Sequence, residues 1–282
     1  MPTGIFFYYQ QGDRLRDFPD VLGGILEKDD AFLYDAFYPS KPESAFDLEP
    51  ISVDTVLKIH SPQMVERVRA TGDYDGALYS ASGTVAAAIK IWCGEITSAF
   101  VFTGYGDHHA GSNFFGGGCY FNGAAIAIHE LRDKFGVARF AIIDTDAHHG
   151  DGTWELFESD LDVLYVCLCS HASYDQNNNV NIHVPAPIHD SGYFALVKGA
   201  LDNLVRHFEP EIIFWNWGYD GTVGEYGDMG LSPEVHMRIA MELKKLARDV
   251  CSGRLIVILC GGSRRDFARS LIPDIIQVLV EE

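Results

Sequence analysis

From residue 98 onward the chain alternates regularly, without any sequence repeat, between short, almost wholly apolar runs and longer segments with apolar residues on one face. The runs read as strands at 98–103, 139–144, 162–168, 211–217 and 254–260. The longer segments read as helices at 120–135, 152–159, 191–208, 232–251 and 264–281. Runs such as Phe140-Ala-Ile-Ile, Val163-Leu-Tyr-Val and Leu255-Ile-Val-Ile-Leu have no polar face, so water must be kept from both sides of the sheet they form. Alternation with amphipathic helices supplies that cover, and the expected fold class is α/β: a mostly parallel central sheet flanked by helices on both faces. A chain of 282 residues, 47% hydrophobic and 22% charged, suffices for one large core, and residues 1–282 are read as a single domain.

The first third is less regular. Residues 4–9 read as a strand, and 12–50 as a weakly periodic stretch interrupted by Pro19, Pro39, Pro42 and Pro50. Residues 52–70 read as two short helices broken at Ser61-Pro62, 71–80 as turn-rich, and 82–92 as a small-residue, buried helix. Asp plus Glu outnumber Lys plus Arg by 40 to 21, a formal charge of −19. Such a field repels nucleic acid; it either draws in cationic substrates such as amines or serves solubility alone. No apolar run is long enough to span a bilayer, and no basic-then-apolar leader or lipidation signal is visible, so a cytoplasmic protein without membrane partners is expected. The six Cys are scattered, mostly in apolar runs, and read as reduced, packed thiols.

Ligands of open α/β sheets bind beyond the carboxyl ends of the strands. There this chain places Gly-Asp-His108-His109, then Asp144-Thr-Asp146-Ala-His148-His-Gly-Asp151, Cys169-Ser-His171, Gly218-Tyr-Asp220 and Gly261-Gly-Ser263. In extended backbone Asp144, Asp146 and His148 point the same way, which makes a chelate. Carboxylate with imidazole suits Zn²⁺, Fe²⁺ or Mn²⁺. Asp220 is the natural third ligand, with Asp228 competing for the role. A divalent ion with an open position brings the pKa of its bound water to ~7 and polarises a carbonyl, the equipment for amide hydrolysis. His108 and His109 are suited to proton transfer, and Asp144 and Asp151 are the carboxylates available to orient them.

The set Gly106-Asp-His-His-Ala110, Gly117-Gly-Cys-Tyr-Phe-Asn122, Asp144-Thr-Asp-Ala-His-His-Gly-Asp-Gly-Thr153 and Gly218-Tyr-Asp220 resembles the histone deacetylase superfamily, including acetylpolyamine amidohydrolases and acetoin-utilisation-type proteins. The resemblance covers roughly residues 50–280. It implies the arginase/deacetylase fold, and Zn²⁺, or Fe²⁺, held by Asp146, His148 and Asp220. It also implies His109 as general base and then acid, supported by Asp151, and His108 as electrostatic partner, supported by Asp144. A structural K⁺ or Na⁺ would sit on backbone oxygens around Asp144, Asp146, His148, Cys167 and Leu168.

Three departures from the family pattern redirect the expected chemistry. Ser263 stands where active members carry the Tyr that donates to the developing oxyanion, and losing one such donor typically costs about 10²–10³ in kcat. Gly118 replaces an aromatic that lines the acyl tunnel, and Ser173-Tyr-Asp-Gln-Asn-Asn-Asn-Val180 replaces an aromatic rim loop. The expected function is a metal-dependent, deacetylase-like amidohydrolase acting on a small-molecule or peptide N-acyl amine other than simple acetyl-lysine. The alternative is a catalytically weak or inactive metal-containing acyl-binding protein on the same fold. The oligomeric state is left open, a homo-oligomer included.

Overall fold

The computed structural model describes residues 3–7, 32–35, 50–102, 105–172 and 174–281. Among the described residues eight strands form one sheet: β1 (Thr3–Phe7), β2 (Phe32–Asp35), β3 (Ser98–Phe102), β4 (Phe140–Asp144), β5 (Val163–Cys169), β6 (Asn179–His183), β7 (Ile212–Trp217) and β8 (Leu255–Leu259). Their order is β2-β1-β3-β8-β7-β4-β5-β6, and every pairing is parallel. This is the α/β architecture expected from the apolar runs.

Side-chain alternation explains why each run is apolar throughout. Ala141, Ile143, Ile213, Trp215, Val257 and Leu259 enter one core, whereas Phe140, Ile142, Ile212, Phe214, Ile256 and Ile258 enter the other. The second core is covered by α1 (Val53–Val56), α2 (Pro62–Thr71), α3 (Tyr74–Trp92), α4 (Gly123–Phe135) and α5 (Asp151–Phe157). The first is covered by α6 (Asp190–Ala200, continued through a π turn at Leu201–Val205 to Arg206–Phe208), α7 (Pro233–Cys251) and α8 (Arg265–Val280).

Helix ends follow local chemistry. The Ser61 hydroxyl accepts from Met64 N with Pro62 in the first turn, and Gly72 closes α2 at φ 86°. Asn122 caps α4 by accepting from Ala125 N, and Gly136 ends it at φ 67°. The two short helices expected over 52–70 are α1 and α2.

Two elements differ from expectation. The turn-rich stretch 71–80 is helical from Tyr74, because its small residues lie against neighbours: a Cβ on Gly76 would come within 2.6 Å of the Tyr105 ring. The segment read as a rim loop, described from Tyr174, bridges Gln176 to Asn179 and becomes the edge strand β6. That strand carries only Val180 and Ile182 as apolar residues packed on the core, too few to stand out from a polar loop. The strand read over 4–9 is seen as β1, with residues 8 and 9 outside the described residues; of 12–50, only 32–35 and 50 are described. Among the described residues no helix is long and apolar enough to cross a membrane.

The strand order positions the rim. β7 and β8, late in the chain, insert between β3 and β4, so residues following β3, β4, β7 and β8 become neighbours although more than a hundred positions separate some of them.

Candidate metal centre and active site

β4 ends at Asp144, and the chain then bends so that Asp144 and Asp146 part company. The Asp144 carboxylate turns to His108, whose Nδ1 lies 2.9 Å from Oδ2, and accepts from Tyr165 OH at 2.8 Å. Asp146, His148 and Asp220 converge instead, with one ligand-competent atom from each within 4.8 Å of the others. His148 Nδ1 is 3.1 Å from Asp146 Oδ1 and 2.9 Å from Asp220 Oδ2.

This donor set fits a divalent cation on three grounds. Asp220 Oδ2 is buried and, among the described residues, makes no hydrogen bond of acceptable angle, although His148 Nδ1 is so close. The two carboxylates rest on glycine backbone: a Cβ on Gly218 would meet Asp146 Oδ2 at 2.4 Å, and one on Gly261 would meet it at 2.1 Å. Third, negative charge is in excess. Burial and the neighbouring Asp146 push the Asp220 carboxyl up, while Asp146, although buried, is held below the usual carboxylate range by His108 and His148. His148, half exposed, completes a set of two oxygens and one nitrogen that suits Zn²⁺ or Fe²⁺.

Two imidazole–carboxylate pairs flank this centre. His109 Nδ1 is 2.7 Å from Asp151 Oδ1, and the His108 and His109 rings lie 4.2 Å apart. In each pair a carboxylate at Nδ1 fixes that proton, and His108 Nε2 lies 3.7 Å from Asp146 Oδ1. The pairs differ in depth: His108 and Asp144 are 3% and 0% exposed, His109 and Asp151 21% and 57%. Burial opposes a charge on His108, but Asp144, Asp146 and Asp220 outweigh it and raise the ring to about 10. Asp151 is lowered despite partial burial by its bond to His109. Gly117, at φ 55°, lies against His109, where a Cβ would come within 2.6 Å of the ring.

The remaining expected residues are placed as follows. Asp228 is exposed, and its carboxylate accepts from Gly224 N and Gly230 N at 3.0 and 2.9 Å, so it closes a loop and stands apart from the ligand group. Gly118 has φ 79°, and a Cβ there would meet nothing within 4 Å, so the space beside it is open. Ser263 Oγ donates to Glu225 Oε2 at 2.7 Å, and the backbone N–H groups of Ser263 and Arg264 donate to the same carboxylate.

Glu225 and Tyr226 were not singled out from sequence. Glu225 anchors the backbone just before α8. The Tyr226 ring stacks on His148, centroids 5.5 Å apart and 24° between planes, and its hydroxyl accepts from Gly262 N at 3.1 Å. The available signal was an acidic–aromatic pair between glycines, Gly224-Glu-Tyr-Gly227, shortly after Asp220.

Two buried histidines also position the rim. His60 Nδ1 donates to Gly111 O at 2.8 Å and Nε2 accepts from Asn122 N at 3.0 Å, tying the loop after His109 to the start of α4. His236 Nδ1 accepts from Trp217 Nε1 at 3.1 Å, and Nε2 pairs with the Thr222 hydroxyl at 3.0 Å, bracketing Asp220.

A parallel sheet whose carboxyl-end rim gathers three metal-competent side chains and two oriented imidazoles has the layout of the deacetylase-like hydrolases. Similarity to known proteins narrows the class. The histone deacetylase domain model matches residues 33–279, and the chain belongs to that family. A protein of Archaeoglobus fulgidus named "Probable deacetylase" is 28% identical over 295 residues, covering 93% of this chain and 81% of that protein. Human histone deacetylase 9 is 28% identical over 198 residues, covering 62% of this chain and 19% of that protein, so the chain corresponds to about a fifth of the human relative's length. The crystal structure of an HDA15 HD domain has a TM-score of 0.83 at 20% identity, covering 99% of this chain and 89% of that one, and shows the shared arginase/deacetylase fold.

Proposed function

We propose that this chain is a metal-dependent amidohydrolase that removes the acyl group from an N-acyl amine. The observation that carries the reading is the convergence of Asp146, His148 and Asp220 beside two carboxylate-oriented imidazoles. Asp146, His148 and Asp220 would hold the ion, Zn²⁺ or Fe²⁺, which when bound supplies a water acidic enough to attack near neutrality and a Lewis acid for the amide carbonyl.

The protein's own groups divide the remaining work. His109, the more open ring, takes the proton of the attacking water at Nε2 and passes it to the leaving amine nitrogen, while Asp151 holds its Nδ1 proton. His108, sealed beside Asp144, contributes a fixed positive charge against the charge that develops on the carbonyl. The Ser263 hydroxyl is committed to Glu225, so the oxyanion donor in this reading is Tyr226, whose phenol stands beside Gly262 and the ligand His148. Accepting the Gly262 N–H polarises the phenol and makes it a stronger donor. A K⁺ or Na⁺ held by backbone oxygens near Asp144 belongs to the same reading.

The open space at Gly118 favours an acyl group larger than acetyl, and the charge of −19 favours a cationic amine. A panel of acylated amines, run with metal-replete, chelated and Asp146→Ala protein, tests the whole: turnover lost on chelation supports it. Rapid turnover of a small acetyl-lysine peptide would contradict the substrate class. The Ser263–Glu225 bond also favours a second reading, a non-hydrolytic acyl-binding protein; metal-loaded protein inert toward every amide, and unchanged by Asp146→Ala, would establish it.

A further inference from the structure

Alternation along β5 puts Cys167 and Cys169 on one face of the strand, and both are buried, 0% exposed. The loop after β4 brings a third donor to them. His148 turns toward the cation site, while the next residue, His149, sits between Trp154 and His171, ring centroids 5.0 and 5.1 Å away. Its Nδ1 is 3.7 Å from Cys169 Sγ, and one donor atom from each of His149, Cys167 and Cys169 lies within 4.8 Å of the others.

The 3.7 Å from His149 Nδ1 to Cys169 Sγ matches one edge of a definite coordination geometry, and Cys167 stands within 4.8 Å of both atoms. Tetrahedral Zn²⁺ with bonds of about 2.3 Å to sulfur and about 2.0 Å to nitrogen sets its S···N edges at about 3.6 Å and its S···S edge at about 3.8 Å. Cys169 is not a thiol packed among apolar groups alone: its Sγ also lies 3.4 Å from Asn181 Oδ1, so the sulfur faces a polar pocket. Two sulfurs and one imidazole are also a softer set than the two carboxylates and imidazole of the first centre, so the two sites would sort cations differently.

We propose that His149, Cys167 and Cys169 form a second metal site, selective for a thiophilic cation such as Zn²⁺, with its fourth position open to water or His171. Its ion ties the loop between β4 and α5 to the end of β5. That loop carries His148 and leads directly into Asp151, so the second ion fixes the backbone from which the first centre is built. The inference does not depend on the hydrolase reading, because it concerns binding alone.

Metal analysis and Co²⁺ substitution test it. Chelator-treated wild type should take up two Zn²⁺ per chain. Cys169→Ser should take up one, as should the Asp146→Ala, Asp220→Ala double variant. Co²⁺ in the wild type and the double variant should give a near-ultraviolet thiolate-to-metal charge-transfer band, absent in Cys169→Ser. His149→Gln, which keeps both thiols and so guards against a folding artefact, should weaken Zn²⁺ at this site by at least tenfold. One equivalent in the wild type without the band would overturn the proposal, as would a band that survives Cys169→Ser. So would air-purified protein that, denatured in the presence of chelator, keeps only four free thiols of its six cysteines and shows Cys167 linked to Cys169 by peptide mass analysis.

Discussion

His60, His236 and His108 are buried to nearly the same depth, 1%, 1% and 3% exposed, yet their protonation runs in opposite directions. In the shoulders of the sheet, His60 and His236 each meet one donor and one acceptor, a pairing that only the neutral ring satisfies. Burial holds both at about 4. At the rim His108 meets carboxylates and is raised to about 10. Depth therefore does not decide what a histidine does; its partners do. The shoulder rings fix backbone, and the rim rings can hold and move charge.

The largest expected effect removes the rim's central carboxylate. Asp146→Ala should lose the first cation, measured by metal analysis, and drop kcat/KM on any responsive amide to the level of chelated wild type, at least about 10³-fold. His109→Ala should keep the metal and lower kcat by about 10²–10⁴-fold, removing the alkaline or acid limb of the pH–rate profile that the proton carrier sets. If both variants retained wild-type rates, the rim rings would be structural like those of the shoulders.

The shoulder rings should show themselves in acid. An unfolded histidine titrates at 6.5 and these two at about 4, so between those values the unfolded chain binds more protons. Their contribution to stability is complete above pH 6.5 and is lost as pH falls toward 4, by about 3 kcal/mol per ring. Urea unfolding at pH 7 and 4.5 measures this, and His236→Gln should remove part of the slope. The rim has the opposite sign. Without a bound cation, His108 contributes stability that is full below pH 6.5 and fades as pH rises through about 10.

Tyr226→Phe sharpens the same contrast between a group that reacts and one that holds the fold. It should lower kcat by about 10–10²-fold with little change in KM. Ser263→Ala, which removes a bond to Glu225, should cost about 1 kcal/mol in thermal or urea unfolding and leave kcat within a few-fold. The reverse pattern would return the oxyanion role to Ser263.

The layered fold and the dense run after β4 were legible in the sequence because their causes are local. Strand alternation and helix periodicity follow from chain stereochemistry, and two carboxylates and two imidazoles within a few residues announce themselves. The edge strand β6 and the start of α3 were not legible, since Val180 and Ile182 give too little apolar signal and Gly76 suits a helix only against the Tyr105 ring. Which side chains share a site was decided by the strand order alone. Inserting β7 and β8 between β3 and β4 brings Asp220 to Asp146, Tyr226 to His148 and Ser263 to Glu225 across 74, 78 and 38 positions, and no local rule constrains contacts at that separation.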